Sequence, residues 1–255
     1  MSVSKAKDDR MKIALLGYGR MGQDVEQVAV ERGHTIAARF MIEAPLPNAD
    51  ELPAEVKTVD CAIDFSSPDA TEHHLRTLGP LHIPMVVGTT GWNKQLPALL
   101  EFMRQCGGTL FYASNFSVGA HVLFHAAAEA ARMLNRFPEY DVAIHEVHHR
   151  LKKDAPSGTA LALAAKILAE IKRKTDVVTS LGNRQIQAHE LLVTSSRVGS
   201  VAGTHSVTFE SSADSIEITH SAHNRRGFAL GAVNAAEWIR GRTGVFSMED
   251  FLFTK

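Results

Sequence analysis

Between His145 and Thr159 the chain reads HEVHHRLKKDAPSGT, which sets three histidines (His145, His148, His149), Glu146, Lys152 and Lys153 within ten residues. After Pro156 the segment runs into Ser157-Gly158-Thr159, residue types that start helices. Imidazoles titrate near neutrality, a nearby ammonium lowers the pKa of a cationic acid, and a helix N-terminus offers unpaired N–H groups to an anion. Together these groups suit proton transfer to a negatively charged small molecule. The plainer alternative is a solvated basic loop, and the fixed exit into a helix speaks against it.

A metal reading competes, because His145-Glu146-Val147-His148-His149 also fits H-E-x-x-H. That motif binds zinc only on a helix, where its two histidines share a face. Residues 140–147 instead place Val142 and Ile144 on one side at period two, which favours a strand. Pro156, and the lack of an apolar helical pattern from His148 to Asp154, then favour a loop. On a strand His145 and His149 lie roughly 13 Å apart at about 3.3 Å per residue, too far to share one ion. No metal is therefore expected.

A second chemical signal lies earlier. Residues 12–16 read as a short buried strand, Gly17-Tyr18-Gly19-Arg20-Met21-Gly22 follows, and residues 23–31 carry a helix-compatible pattern that includes Val25, Val28 and Ala29. Between a strand and a helix, G-x-G-x-x-G permits a tight turn, close approach of a pyrophosphate and close helix–strand packing. With a further strand at 35–42, dinucleotide binding is favoured over a plain tight turn. An acidic residue about 20 positions on is expected to hold the adenosine ribose. Glu43 stands at that distance, Met41 takes the place if the alignment slips by two, and Arg39 would instead meet a 2′-phosphate. Both NADH and NADPH therefore stay open.

The elements that must position these groups alternate. Strand-like pieces at 61–65, 85–87 and 110–113 are separated by helix-compatible segments, as in a Rossmann-like, doubly wound, mostly parallel α/β sheet. They end in Asp64-Phe65-Ser66-Ser67, Gly88-Thr89-Thr90-Gly91 and Ala113-Ser114-Asn115-Phe116-Ser117. Singly each is an ordinary capped turn; together, at the carboxyl ends of parallel strands, they read as a cofactor edge. Residues 118–134 form a long alanine-rich helix, in which His121 and His125 read as packed or solvated rather than metal-binding. A helix at 158–174 and strands at 191–198, 205–210 and 215–220 make the rest a second, α+β domain. Its last two strands pair as a hairpin through 211–214, and a helix at 227–241 returns to the first domain. The expected division is 1–117 plus 225–255 for dinucleotide binding and 118–224 for substrate binding and oligomerisation.

Composition narrows the partners. The 255 residues are 45% hydrophobic and 22% charged with a formal net charge of −1, so the chain can bury a large core but offers no bulk attraction to nucleic acid or an anionic membrane. A small-molecule partner is expected. Cys61 and Cys106 are too few for a disulfide framework or a cysteine metal site and read as core residues in a reducing, cytoplasmic setting. The polar start MSVSKAKDDR and the short apolar run 13–16 read as neither a signal peptide nor a membrane span.

GYGRMG, GTTG, NFSVG and above all HHRLKKDAPSGTA, with GTH at 203–205 and EITH at 217–220, resemble the 4-hydroxy-tetrahydrodipicolinate (dihydrodipicolinate) reductase family almost end to end. The resemblance implies NADH- or NADPH-dependent reduction of a cyclic, imine-like dicarboxylate in the diaminopimelate route to lysine, by a homotetramer joined through the sheet of the second domain. It makes His148 the proton donor, assisted by Lys152, and has His149, Gly158 and Thr159 hold the substrate. It assigns cofactor contacts to Gly17, Tyr18, Gly19, Arg20, Met21 and Gly22, to Gly88, Thr89 and Thr90, and to Ala113, Ser114, Asn115 and Phe116. Tyr18 departs from the small residue common in that loop, and the ambiguous ribose position leaves coenzyme preference open. A zinc hydrolase and a non-catalytic nucleotide sensor are the rival classes.

Overall fold

The computed structural model describes residues 9–253; the N-terminal ten residues read above as no signal peptide lie largely outside it. The chain forms two compact units, one of residues up to Ser117 together with those from Arg225, the other Val118–Asn224.

In the first unit β1 (Lys12–Leu16), α1 (Arg20–Glu31), β2 (Thr35–Phe40), β3 (Cys61–Asp64), α2 (Pro68–Leu78), β4 (Met85–Val87), α3 (Leu96–Gln105) and β5 (Thr109–Tyr112) alternate. After the second unit the chain returns through α6 (Arg226–Ile239), β11 (Gly244–Phe246) and α7 (Met248–Phe253). The six strands are all parallel, in the order β11-β5-β4-β3-β1-β2. Burial on both faces explains their continuous apolar runs. Leu16, Leu75, Leu78, Met85, Val87 and Leu99 belong to the core on one side. Val25, Val28 and Ala29 of α1 and Ala232, Val233 and Ala236 of α6 are buried as well. The strand order reverses between β1 and β3, and the carboxyl ends of strands at such a switch point open a crevice. Cys61 lies in this core, where burial pushes its thiol pKa up and leaves it unreactive.

The second unit comprises α4 (Val118–Leu134), β6 (Asp141–His148), α5 (Gly158–Glu170), β7 (Asp176–Val178), β8 (Glu190–Arg197), β9 (Gly203–Glu210) and β10 (Ser215–Ala222). Its mixed sheet runs β10-β9-β6-β8-β7. Leu123, Phe124 and Ala127 of α4 and Leu163 and Ile167 of α5 pack with Val142, Ile144, Val193, Val207 and Phe209 on one face. Because strand side chains alternate, the phase that buries Val142 and Ile144 also buries Glu146 and His148, while His145 stays exposed.

Boundaries shift in two informative places. The second strand stops at Phe40 rather than 42, because Met41 and Ala44 exchange backbone hydrogen bonds of 3.0 and 3.1 Å and close a turn. The helix expected to reach 174 stops at Glu170, where Ile171 adopts φ −95°, ψ 96° and buries its side chain. Among the described residues no helix is long and apolar enough to cross a membrane.

Candidate active site

In the first unit the glycine loop is shaped by close approach. Gly17 has φ +89°, and a Cβ there would lie 2.5 Å from the Phe65 carbonyl oxygen; a Cβ on Gly22 would lie 2.3 Å from that of Gly17. At Gly19 an added Cβ would meet nothing within 4 Å, and no side chain caps α1, so its first N–H groups at Arg20 and Met21 suit an anion. A cavity of about 360 Å³ opens beside this loop, bordered by Tyr18, Gly19, Met41, Glu43 and Ser66. These features fit a dinucleotide.

Of the three ribose candidates, Met41 and Glu43 line the cavity. Arg39 is engaged elsewhere: its guanidinium forks onto Glu26 of α1, with Nε 2.7 Å from Oε2, and lies 5.6 Å from the centre of the Tyr18 ring. The Tyr18 hydroxyl donates to the same carboxylate at 2.6 Å. The hydrogen bond from Arg39 outweighs burial and holds Glu26 below the ordinary carboxylate range.

At the carboxyl ends of β3 and β4 the buried Asp64 ties the two turns together. Its Oδ1 accepts from Ser66 N (2.8 Å), Ser66 Oγ (2.6 Å) and Thr89 Oγ1 (2.9 Å), and its Oδ2 faces His74 Nδ1 at 2.8 Å. A Cβ on Gly88 would lie 2.1 Å from the Phe65 ring. Thr89, Thr90, Ala113 and Ser114 border a further cavity of about 270 Å³. Asn115 Oδ1 accepts from Ser117 N at 2.8 Å. Phe116 points into the core against Phe65 and Phe111, 1% exposed, so its ring is structural.

In the second unit His148 ends β6 and is 7% exposed. Its Nδ1 lies 2.5 Å from Glu146 Oε2, off the ideal hydrogen-bond line. Glu146 Oε1 accepts from Arg197 Nη2 (2.8 Å) on β8 and from the Ser157 N–H (3.2 Å). Ser157 caps α5, its hydroxyl accepting from Ala160 N at 3.2 Å and meeting His205 Nε2 at 3.1 Å. The His205 ring stands edge-on to His148, 5.1 Å between centres. Gly158 is exposed and Thr159 half-buried at the N-terminus of α5, where the Gly158 N–H faces the Asp154 carboxylate, and His149 is half-buried just past β6. The Lys152 ammonium pairs with Asp154 at 2.8 Å.

Burial pushes His148 below the ordinary histidine pKa; Glu146 opposes this, while Lys152 and Arg197 push the same way as burial. Burial would raise Glu146, but the Ser195 hydroxyl, Arg197, Ser157 and His148 outweigh it and hold the carboxyl at about 2. Burial, reinforced by His148, drives His205 down to about 4.

Glu146, His148 and His205 offer donor atoms within 4.8 Å of one another. Two ligands each about 2.1 Å from one tetrahedral zinc stand roughly 3.4 Å apart. The 2.5 Å between Glu146 and His148 is too short for two ligands of one such ion, and Arg197 on the same carboxylate opposes a cation. The H-E-x-x-H histidines fare no better: His145 lies in a strand and its Nδ1 is 2.8 Å from Thr194 Oγ1.

Sequence reasoning gave Arg197 no role and placed Glu146 and Asp64 only as members of the histidine cluster and of the strand-end turns, without their partners. A signal for Glu146 was present, since a charged residue in phase with Val142 and Ile144 must be buried with partners.

Residues 11–116 match the family model described as dihydrodipicolinate reductase, N-terminus, and residues 119–252 match dihydrodipicolinate reductase, C-terminus. The 4-hydroxy-tetrahydrodipicolinate reductase of Christiangramia forsetii is 43% identical over 95% of this chain and 98% of that protein. That of Rickettsia bellii is 36% identical over 91% and 90%. A dipicolinate-bound dihydrodipicolinate reductase from Paenisporosarcina sp. TG-14 shares the fold, with a TM-score of 0.74 at 20% identity over 96% of this chain and all of that one. With both halves matched in order and relatives this similar along nearly the whole length, the chain belongs to the 4-hydroxy-tetrahydrodipicolinate (dihydrodipicolinate) reductase family of oxidoreductases.

Proposed function

We propose that this chain reduces 4-hydroxy-tetrahydrodipicolinate to tetrahydrodipicolinate, with release of water, in the diaminopimelate route to lysine. The observation that carries the reading is a buried histidine, His148, under the influence of Lys152 and joined through Glu146 to Ser157, the cap of α5, in a chain whose other unit has a dinucleotide cradle. A reduced nicotinamide bound by the glycine loop, Thr89, Thr90 and the Ala113–Asn115 segment supplies the hydride. The N–H groups of Gly158 and Thr159 hold one substrate carboxylate, and His149 and Lys152 answer the remaining negative charge. His148 protonates the enamine carbon left after reduction.

Glu43 borders the cavity beside the glycine loop while Arg39 is held by Glu26, which supports ribose hydroxyls on Glu43 and a preference for NADH over NADPH. The chain acts without a metal, in the cytoplasm, as a homotetramer built on the open face of the second sheet. That face is rich in hydroxyls, with Thr204–Ser221 and Ser206–Thr219 pairs at 3.1 and 2.9 Å.

The test is a coupled assay with freshly generated substrate, following loss of reduced-nicotinamide absorbance. Turnover with NADH or NADPH that survives exhaustive chelation is expected. Dinucleotide binding without turnover would leave a sensor, and zinc-dependent turnover would leave a metalloenzyme.

A further inference from the structure

Among the described residues, the ring of His148 is faced by charged or titratable groups from four places: Glu146 on β6, Lys152 on the following loop, Arg197 on β8 and His205 on β9, the last also influenced by His220 on β10. Of these only Glu146 favours the protonated ring. Its carboxylate is fully buried and cannot swing away, because Arg197 and the Ser157 N–H fasten Oε1 while Oε2 meets His148 Nδ1 at 2.5 Å. The two atoms are in contact but off the hydrogen-bond line, and a bare Nδ1 there would set its lone pair beside a carboxylate oxygen, which favours the protonated nitrogen.

At the other ring nitrogen the chain places a glycine, which sets no Cβ against it. Gly203 starts β9 with φ +155°, a region that side-chain-bearing residues rarely adopt, and a Cβ there would stand 2.9 Å from His148 Nε2.

We infer that Glu146 is the positioning residue of the proton donor: it holds His148 with Nδ1 protonated and leaves Nε2, beside Gly203, as the nitrogen that delivers the proton. The inference rests on the donor role of His148 proposed above. In each cycle the Nε2–H bond breaks, the proton joins the substrate carbon, and solvent reprotonates Nε2 while Nδ1–H stays on Glu146.

Glu146→Gln keeps the shape of the side chain and removes its charge. Its kcat is expected to fall on the order of 10² to 10⁴-fold, with KM for the dicarboxylate and affinity for NADH little changed. The basic limb of the kcat–pH profile should also move to lower pH by about one unit or more, since Lys152 and Arg197 then act on the ring with no carboxylate opposing them. Glu146→Asp should restore part of both. A role in folding alone would lower the active fraction without moving that limb, and an unmoved limb overturns the inference.

If Glu146→Gln does not fold, ¹⁵N resonances of the His148 ring in the unmodified enzyme decide the matter. Above the ring's pKa, an Nδ1–H tautomer is expected and an Nε2–H tautomer overturns it. His148→Gln separates the two readings. Full turnover in that variant removes the donor role and this inference with it. An inactive His148→Gln beside a Glu146→Gln enzyme with normal kcat and profile leaves the donor and removes only the positioning.

Discussion

At His148 burial, Lys152 and Arg197 loosen the proton and Glu146 tightens it, with a net pKa below the ordinary histidine value. A donor must be protonated to act, so kcat/KM should fall as pH rises through that lowered value in the free enzyme. The substrate brings two carboxylates, which favour the imidazolium, so the descending limb of kcat should lie at higher pH than that of kcat/KM. Coincident limbs would mean that His148 does not feel the bound dianion. The same reasoning divides labour between neighbours. His148→Gln and Lys152→Ala should lower kcat on the order of 10² to 10⁴-fold, while Thr159→Val, at the mouth of α5, should chiefly raise KM. Steady-state kinetics on the three variants check this, and near-normal turnover in His148→Gln would remove the assigned donor.

At the scale of elements, what was legible followed from period and punctuation. The two-residue alternation of β6, the glycine loop between β1 and α1, the alanine-rich α4 and the serine cap of α5 each declare themselves within a few residues. The three-residue β7 and β11 lack the wholly apolar run that made the equally short β4 readable, and the six-residue α7 is too short to show a period. The partners of Glu146 were hidden for another reason. Arg197 stands 51 residues away, brought alongside because β8 pairs in parallel with β6, a register no local pattern encodes. The exit of β2 is a similar case: Arg39 reads as a candidate phosphate contact, and Glu26, which α1 presents to it, stands 13 residues back. Removing Glu43 should therefore weaken NADH more than NADPH, whereas Arg39→Ala should change neither selectively. Titrating both cofactors against Glu43→Gln and Arg39→Ala checks this; a selective loss of NADPH in the arginine variant would put the guanidinium on the 2′-phosphate.

For the whole molecule, the buried imidazole–carboxylate knot ties stability to pH. His205 has a pKa of about 4 when folded, against 6.5 for an ordinary histidine. As pH falls below 6.5 the unfolded chain takes up a proton that folded His205 refuses until about 4. The unfolded state then binds more protons, so stability is lost progressively across that interval and is fully present above it. His148, also lowered, adds to the loss in the same direction. Glu146 acts in a more acidic window: held at about 2 against 4.5, it contributes stability above 4.5 that disappears as pH falls towards 2. Thermal midpoints should accordingly be level above neutrality, fall between pH 6.5 and 4, and fall further below that. His205→Gln keeps a polar side chain beside Ser157 but cannot titrate. Its midpoint should decline less steeply between pH 6.5 and 4 even if it starts lower. A slope equal to that of the unmodified protein would show that the imidazole beside Ser157 is not what couples this fold to acid.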